Sequence, residues 1–327
     1  MNKIKKQTIA KLMSIVLLGA LVVWTSPSVR ADQDEVLRIG ILQLADHGSL
    51  EAARQGFVSR LEELGYVDGE NIIINYLNAQ SDQSNLPLMS QRLVADQSDL
   101  ILAISTPAAQ AIANETTEIP ILTTAVTSLL TANLIECNYV PNTNVSGTSD
   151  MPPVAEQLEL LTELVPTART IGFIFNSSEA NSQLQIEIAE EEAARLGLET
   201  VALSVANTND VYQTMQALVG RVDAIYIPTD NTLSSAIATV GSIAEENRIV
   251  VVTGSVSAAL NGGTATVGID YYKLGQQTAD MAVDIFENGA STYTMPIQTQ
   301  SETRVIINEE MVEAIGLIIP AEVRGRN

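Results

Sequence analysis

LRIGILQLADHGSLEAARQGFVSRLEELGY, residues 37–66, begins as a mainly apolar run interrupted only by Arg38 and Gln43 and turns through a polar loop at Asp46–Ser49. It then continues with apolar residues at helical spacing as far as Gly65. That is a strand followed by the helix that crosses back over it. The same sentence is written again at TIGFIFNSSEANSQLQIEIAEEEAARLGLE, residues 170–199. Gly40 and Gly65 are 25 residues apart, as are Gly172 and Gly197, and Asp99 precedes Ser105 by six residues just as Asp223 precedes Thr229. An internal duplication follows from this register, giving two similar lobes side by side.

Working outward, NIIINYL (71–77), DLILAIS (99–105) and PILTTAV (120–126) read as further strands of the first copy, separated by helical stretches at 85–97 and 107–116. In the second copy TVALSV (200–205) and DAIYIPTD (223–230) are strands around a helix at 209–221. Strands that alternate with helices at this spacing form a parallel sheet with right-handed crossovers. Their lack of polar alternation fits helices on both faces. The expected class is α/β, two Rossmann-like lobes with a ligand cleft between them. A third stretch is left over: IVVVTGS (249–255), TATVGID (264–270), a long helix at 272–289 and a tail ending in EEMVEAIGLIIP (309–320). It is accommodated if the chain crosses between lobes three times, near residues 149, 255 and 296, through a three-strand hinge. Lobe one is then 36–149 plus 256–295, and lobe two 150–255 plus 296–327.

The chain has 327 residues, 46% apolar, with one Cys, one His and a net charge of −22. One cysteine excludes a disulfide framework and any mechanism built on a thiol pair, and a single histidine argues against a His-based metal cluster or a Ser-His-Asp triad. The charge excludes nucleic acid backbones as partners. Lys3, Lys5, Lys6 and Lys11 precede the apolar run LMSIVLLGALVVW (12–24), and Val29 and Ala31 suit a signal peptidase, so residues 1–31 read as a secretory signal. An uncleaved membrane anchor is the alternative reading. Cleavage would remove five positive charges and no negative ones, leaving 12 Lys and Arg against 39 Asp and Glu. The mature protein is expected in a periplasm or secreted, and Cys137 is too far downstream to carry a lipid anchor.

Ligands of open α/β sheets bind beyond the carboxyl ends of the strands. In lobe one those loops carry Gln43 and His47, Ser105 and Thr106, and Thr124 and Ala125. In lobe two they carry Asn176, Glu179 and Asn181, then Asp230 and Asn231; Ser255 falls at the hinge, and Asp270 and Tyr271 return to the cleft. Ser105 and Thr106 precede Pro107 at a helix start, where backbone N–H groups attract a carboxylate, although capping is an equally good use of both. Asp230 occupies the duplicated position on the opposite lip and suits an ammonium group, with Glu179 and Asp270 as rivals, although it serves equally well as only the N-cap of the helix after Asn231. Tyr271 suits stacking on an aromatic ligand or a structural place at the sheet end. His47 is either solvated or bonded within the cleft. A nucleophile elbow, a P-loop and a G-x-G-x-x-G turn are all absent.

Several stretches together resemble a known family. They are IGILQ (39–43), H-x-x-L-x-A-A-R-x-G-F (47–57), L-G-Y-V-x-G-x-N (64–71), NAQSDQSN (78–85), STPAAQAIANET (105–116), NVSGTSD (144–150), NSSEANS (176–182), PTDNT (228–232) and GIDYYKLGQQTA (268–279). In this order they are similar to ABC-transporter substrate-binding proteins of the tryptophan-binding type, within the type I periplasmic binding-protein architecture. The resemblance implies hinge closure around an amino acid, tryptophan or another aromatic first, and delivery to a membrane permease. The expected partners are that ligand and that permease, with the binding protein a monomer, not an enzyme, and needing no cofactor or metal. A sensory subunit presenting its ligand to a receptor would look nearly the same, and a carboxylate-based two-lobed enzyme is the remaining alternative. Two departures stand out: VTSLLTAN (126–133) replaces the frequent V-T-D-P, and the lipid-anchoring cysteine of many relatives is missing.

Overall fold

The structure, a computed structural model, describes residues 36–326, so the expected signal segment lies outside the described residues. In chain order lobe one is built from β1 (Leu37–Gln43), α1 (Gly48–Glu63), β2 (Ile72–Asn78), α2 (Leu86–Ala95), β3 (Leu100–Ile104), α3 (Thr106–Ala113), β4 (Ile121–Val126) and β5 (Val145–Ser149). Lobe two continues with α4 (Val154–Leu164), β6 (Thr170–Asn176), α5 (Ala180–Arg195), β7 (Glu199–Val205), α6 (Val211–Leu218), β8 (Ala224–Ile227), α7 (Asn231–Ser235), α8 (Ile237–Asn247), β9 (Val250–Thr253), α9 (Val256–Asn261) and β10 (Ala265–Gly268). The chain then returns with α10 (Tyr271–Asn288) and β11 (Gln298–Thr299) in lobe one, and ends with β12 (Arg304–Ile307), α11 (Glu309–Ile315) and α12 (Ala321–Arg324) in lobe two.

The two sheets have the same order position by position, β11-β5-β4-β3-β1-β2 and β12-β10-β9-β8-β6-β7. Central strands β3, β4, β8, β9 and β10 are buried along their whole length, because helices cover both faces. The outer strands β2 and β7 alternate and are half exposed. The repeated residues do the same work twice. Asp99 accepts from the backbone N–H of Arg38 (2.8 Å), and Asp223 accepts from Arg169 and Thr170 (2.8 and 2.9 Å), each tying the start of the central strand to its neighbour. Gly65 and Gly197 both take positive φ, +92° and +75°, two residues past the ends of α1 and α5. All pairings within the sheets are parallel except β10 with β12, which is antiparallel.

Two of the three expected crossings are misplaced. Val267 belongs to the apolar core of lobe two and Ile269 to that of lobe one, so the return comes after Gly268 and not at Ser255. Strand β10 pairs with β9 and β12, and α9 stays with lobe two. The last crossing follows Thr299, since β11 pairs with β5. A four-residue apolar strand such as ATVG has the same pattern in either sheet, and only its long-range partners assign it.

Lobe one is closed off by α10, which lies along α1. A Cβ placed on Gly56 would collide with the carbonyl oxygen of Tyr272, and one on Gly275 with that of Ala53. The two glycines let the helices touch backbone to backbone. This contact fixes α1, and with it the loop before α1, against the hinge.

Candidate functional site

The carboxyl ends of the two sheets face each other, and the lobes touch. His47 Nε2 lies 3.1 Å from Asn231 Oδ1, the Thr127 and Thr229 hydroxyls are 3.2 Å apart, Gln185 Nε2 donates to Thr127 Oγ1 (3.3 Å), and the Ser81 and Ser235 hydroxyls are 3.1 Å apart. Between them is a small pocket lined by both lobes, with about 20 Å³ of free space. Each of these contacts joins lobe one to lobe two, so this is a closed arrangement.

Seven of the residues expected from the sequence line the pocket: His47, Ala125, Asn181, Asp230, Asn231, Ser255 and Tyr271. The other seven do not. Gln43 is buried and donates from Nε2 to the carbonyl of Ala45 (2.7 Å), Ser105 caps α3 through the N–H of Ala108 (3.4 Å), and Thr106 lies buried behind it. Thr124 accepts from the Thr148 hydroxyl (3.3 Å). Asn176 donates to the Thr232 hydroxyl (2.8 Å), and Asp270 caps α10 by accepting from the N–H groups of Tyr272 and Lys273.

The acids proposed for an ammonium are largely committed to the protein itself. Glu179 is fully buried and accepts from the N–H groups of Asn231 and Thr232, from the Asn231 and Asn181 amides and from the Thr232 hydroxyl. Asp230 accepts from the N–H of Asn176 (2.6 Å), the Ser182 hydroxyl (2.8 Å) and, as cap of α7, the N–H of Leu233 (2.8 Å). Burial, and then the neighbouring Glu179 carboxylate, push the Asp230 carboxyl well above the usual carboxylate range. It lines the pocket and at the same time holds the lobe-two loops together.

The sequence reading missed Asp150. It lies at the first hinge crossing, is 4% exposed and lines the pocket. Its Oδ2 accepts from the Tyr271 hydroxyl at 2.6 Å, while its Oδ1 is buried with no partner. Burial pushes this carboxyl up from its ordinary value, as expected for a desolvated acid whose second oxygen is unpaired. Three more pocket atoms are buried and unpartnered: Asn181 Oδ1, Ser49 Oγ and His47 Nδ1. The available signal for Asp150 was its place at the end of NVSGTSD, where the chain was expected to leave lobe one.

Local geometry positions these atoms. Asn231 turns its amide nitrogen to Glu179, which can only accept, so its oxygen faces His47 and the histidine carries its proton on Nε2. Helix α1 begins at the pocket with His47 in extended conformation and no side-chain cap, leaving its first N–H groups for an anion. Ala125 holds φ +55° where the β4–β5 register shifts, a strained conformation of a kind that clusters at ligand sites. The pocket thus offers unpaired acceptors, Asp150 and Asn181, and a donor set at Ser49 and the start of α1. No group of side chains that would hold a metal ion occurs among the described residues. Nor is any described helix long and apolar enough to cross a membrane.

Comparison with known proteins places this geometry. The family model for ABC transporter substrate binding proteins matches residues 38–326. A tyrosine-binding protein of Clostridioides difficile is 40% identical over 288 residues, 88% of this chain and 83% of its own length. The ABC domain from Streptococcus pneumoniae solved in complex with L-Trp superposes with a TM-score of 0.85 at 35% identity, covering 89% of this chain and 98% of that one. A substrate binding protein with adhesive properties from Clostridium difficile, in a ligand-free, open structure, is 43% identical over 88% of this chain and 97% of its own, with a TM-score of only 0.67. The more similar sequence superposes less well, as expected when the lobes of one structure are closed and those of the other open.

Proposed function

The chain belongs to the ABC transporter substrate-binding proteins, and from that premise we propose that it captures a free aromatic amino acid, tryptophan or tyrosine, between its lobes and delivers it to a membrane permease. The observation that carries this reading is the set of unpartnered polar atoms in the interlobe pocket. Asp150 Oδ1 and Asn181 Oδ1 receive the α-ammonium, and the first N–H groups of α1 with the Ser49 hydroxyl receive the α-carboxylate. Each group alone is a costly buried orphan, and together they are complementary to the two ends of one zwitterion. An ammonium beside Asp150 also offsets the burial that raises its carboxyl. Burying an aromatic side chain adds about 1.5–3 kcal/mol, and charge-assisted hydrogen bonds add to this. The aromatic preference draws on the relatives, one a tyrosine-binding protein and one solved with L-Trp.

The ligand enters an open cleft, and the contacts of His47 with Asn231 and of Thr127 with Thr229 then close the lobes over it. Closure creates the surface that a permease distinguishes from the empty protein. Export by the segment 1–31 would put the protein, as a monomer, outside the cytoplasm, where this role is exercised.

The test is thermal unfolding of the ligand-stripped chain against the common amino acids, followed by calorimetric titration of the wild type and Asp150→Asn. A ligand at 100 times its Kd adds about 2.7 kcal/mol of stability, so a selective rise in Tm with tryptophan or tyrosine is expected. Asp150→Asn keeps the shape and removes the charge, and is expected to weaken binding by about tenfold or more. No shift with any aromatic amino acid would overturn the ligand assignment, and undiminished affinity in the variant would overturn the role of Asp150.

A further inference from the structure

A second and larger space lies directly behind the ligand pocket. It is a groove of about 420 Å³ at the hinge, between the start of α1, helix α9, the last two crossings and β12. Its walls are largely apolar, with Ala52, Val256, Leu260, Ile269, Tyr272 and Ile306 among them. Ser49 and Tyr271 line both this groove and the ligand pocket. Ser49 is small, so Tyr271 is the bulky side chain common to the walls of both spaces. That side chain is 7% exposed and is anchored by its hydroxyl on Asp150 Oδ2 at 2.6 Å.

We propose that Tyr271 is the partition that restricts the ligand to a single free amino acid, and that the groove behind it is a latent second compartment sized for one more residue. The inference rests on the proposed amino acid site, because it uses the placement of the ammonium at Asp150. The ammonium end of the ligand then points toward Tyr271. A dipeptide with an aromatic second residue would keep its carboxylate at α1 and its ring in the pocket. Its peptide N–H would take the place of one ammonium N–H at Asp150, and its first residue would have to pass through the position of the Tyr271 ring. Beyond that position the apolar walls suit a small side chain. The groove also carries Asp270, Glu302, Lys273 and Arg304, with Lys273 Nζ 3.9 Å from Glu302, so the peptide's own ammonium would have to compete with Lys273 for Glu302. Specificity against peptides is thus steric exclusion by one ring.

The experiment is calorimetric titration of wild type, Tyr271→Ala and Tyr271→Phe with tryptophan, tyrosine and alanyl-tryptophan, with the folding of each variant checked by circular dichroism and Tm. Wild type and Tyr271→Phe, which keeps the ring, are both expected to reject the dipeptide, while the Phe variant also changes its absolute affinity for the amino acid through the lost bond to Asp150. Tyr271→Ala is expected to shift the ratio of dipeptide to tryptophan affinity by at least about tenfold toward the dipeptide. Should the alanine variant not fold, Tyr271→Leu keeps an apolar side chain in the lobe-one core, is shorter than the ring and carries the same expectation. A folded Ala or Leu variant that still rejects the dipeptide overturns the partition. So does a wild type that binds the dipeptide as well as tryptophan, or a Phe variant that shifts as far as the Ala variant. Failure of the wild type to bind either free amino acid is a different result: it overturns the proposed function, and this inference with it.

Discussion

His47 and Asn231 meet across the cleft, Nε2 donating to Oδ1 at 3.1 Å, and Asn231 is itself held by Glu179. The only histidine of the chain is therefore a contact that exists only when the lobes are closed. Burial lowers its pKa to about 4, against the raising effects of the Asn231 bond and the Asp46 charge. In an open cleft the ring is solvated and has its ordinary value near 6.5.

A pH dependence of ligand affinity follows from this difference. The closed state binds fewer protons, so closure is fully favoured above about pH 6.5 and is lost as the pH falls toward 4, by up to about tenfold per unit. Titration from pH 8 to 4.5 checks this, with His47→Gln as control, since glutamine offers Asn231 a donor that does not titrate. Any slope left in that variant belongs to Asp150 and Asp230, which face the same pocket and whose carboxyls burial raises. Equal slopes in both proteins would remove His47 from the account.

Asp230→Ala tests the division of labour between the acids. It removes the cap of α7 and the acceptor of the Asn176 N–H and the Ser182 hydroxyl. Leaving such buried groups unpaired costs about 1–3 kcal/mol. The expected result is lower stability of the ligand-free protein in urea unfolding, with a smaller effect on affinity than Asp150→Asn. Intact stability with lost binding would return Asp230 to the ligand.

Gly56→Ala and Gly275→Ala probe the seam between α1 and α10. Each added methyl meets a carbonyl oxygen of the facing helix, not a movable side chain. Overpacking of this kind costs about 1–3 kcal/mol. Because the seam sets α1 against the hinge, weaker ligand binding should accompany the loss of stability. Unchanged unfolding midpoints would mean that the helices separate freely, contrary to the close contact described.

The pocket was partly legible in the sequence for a reason particular to this architecture. Loops after the strands of a parallel sheet converge, so locating the strands located His47, Ala125, Asn181, Asn231 and Tyr271 at the pocket without any knowledge of their contacts. Roles within the pocket were not legible in the same way. Asp230, Glu179 and Asp270 are all acids immediately before a helix, and capping and ligand binding ask for the same residue types. Asp150 escaped notice because it follows the last strand of lobe one at the hinge, and no local pattern marks an acid whose second oxygen is left unpaired.

The sequence by itself determined the two α/β lobes and their common order. Apolar runs, helical spacing and the repeated Gly40–Gly65 and Asp99–Ser105 intervals are local signals, and each lobe repeats them. Tertiary structure alone decided which sheet takes β10, since a four-residue apolar strand fits either. It also decided which acid keeps a free oxygen, how His47 reaches Asn231 184 residues away, and how Tyr271 comes to stand on Asp150. These depend on partners brought together by the hinge, and the energy of a buried polar group is set by whether such a partner arrives.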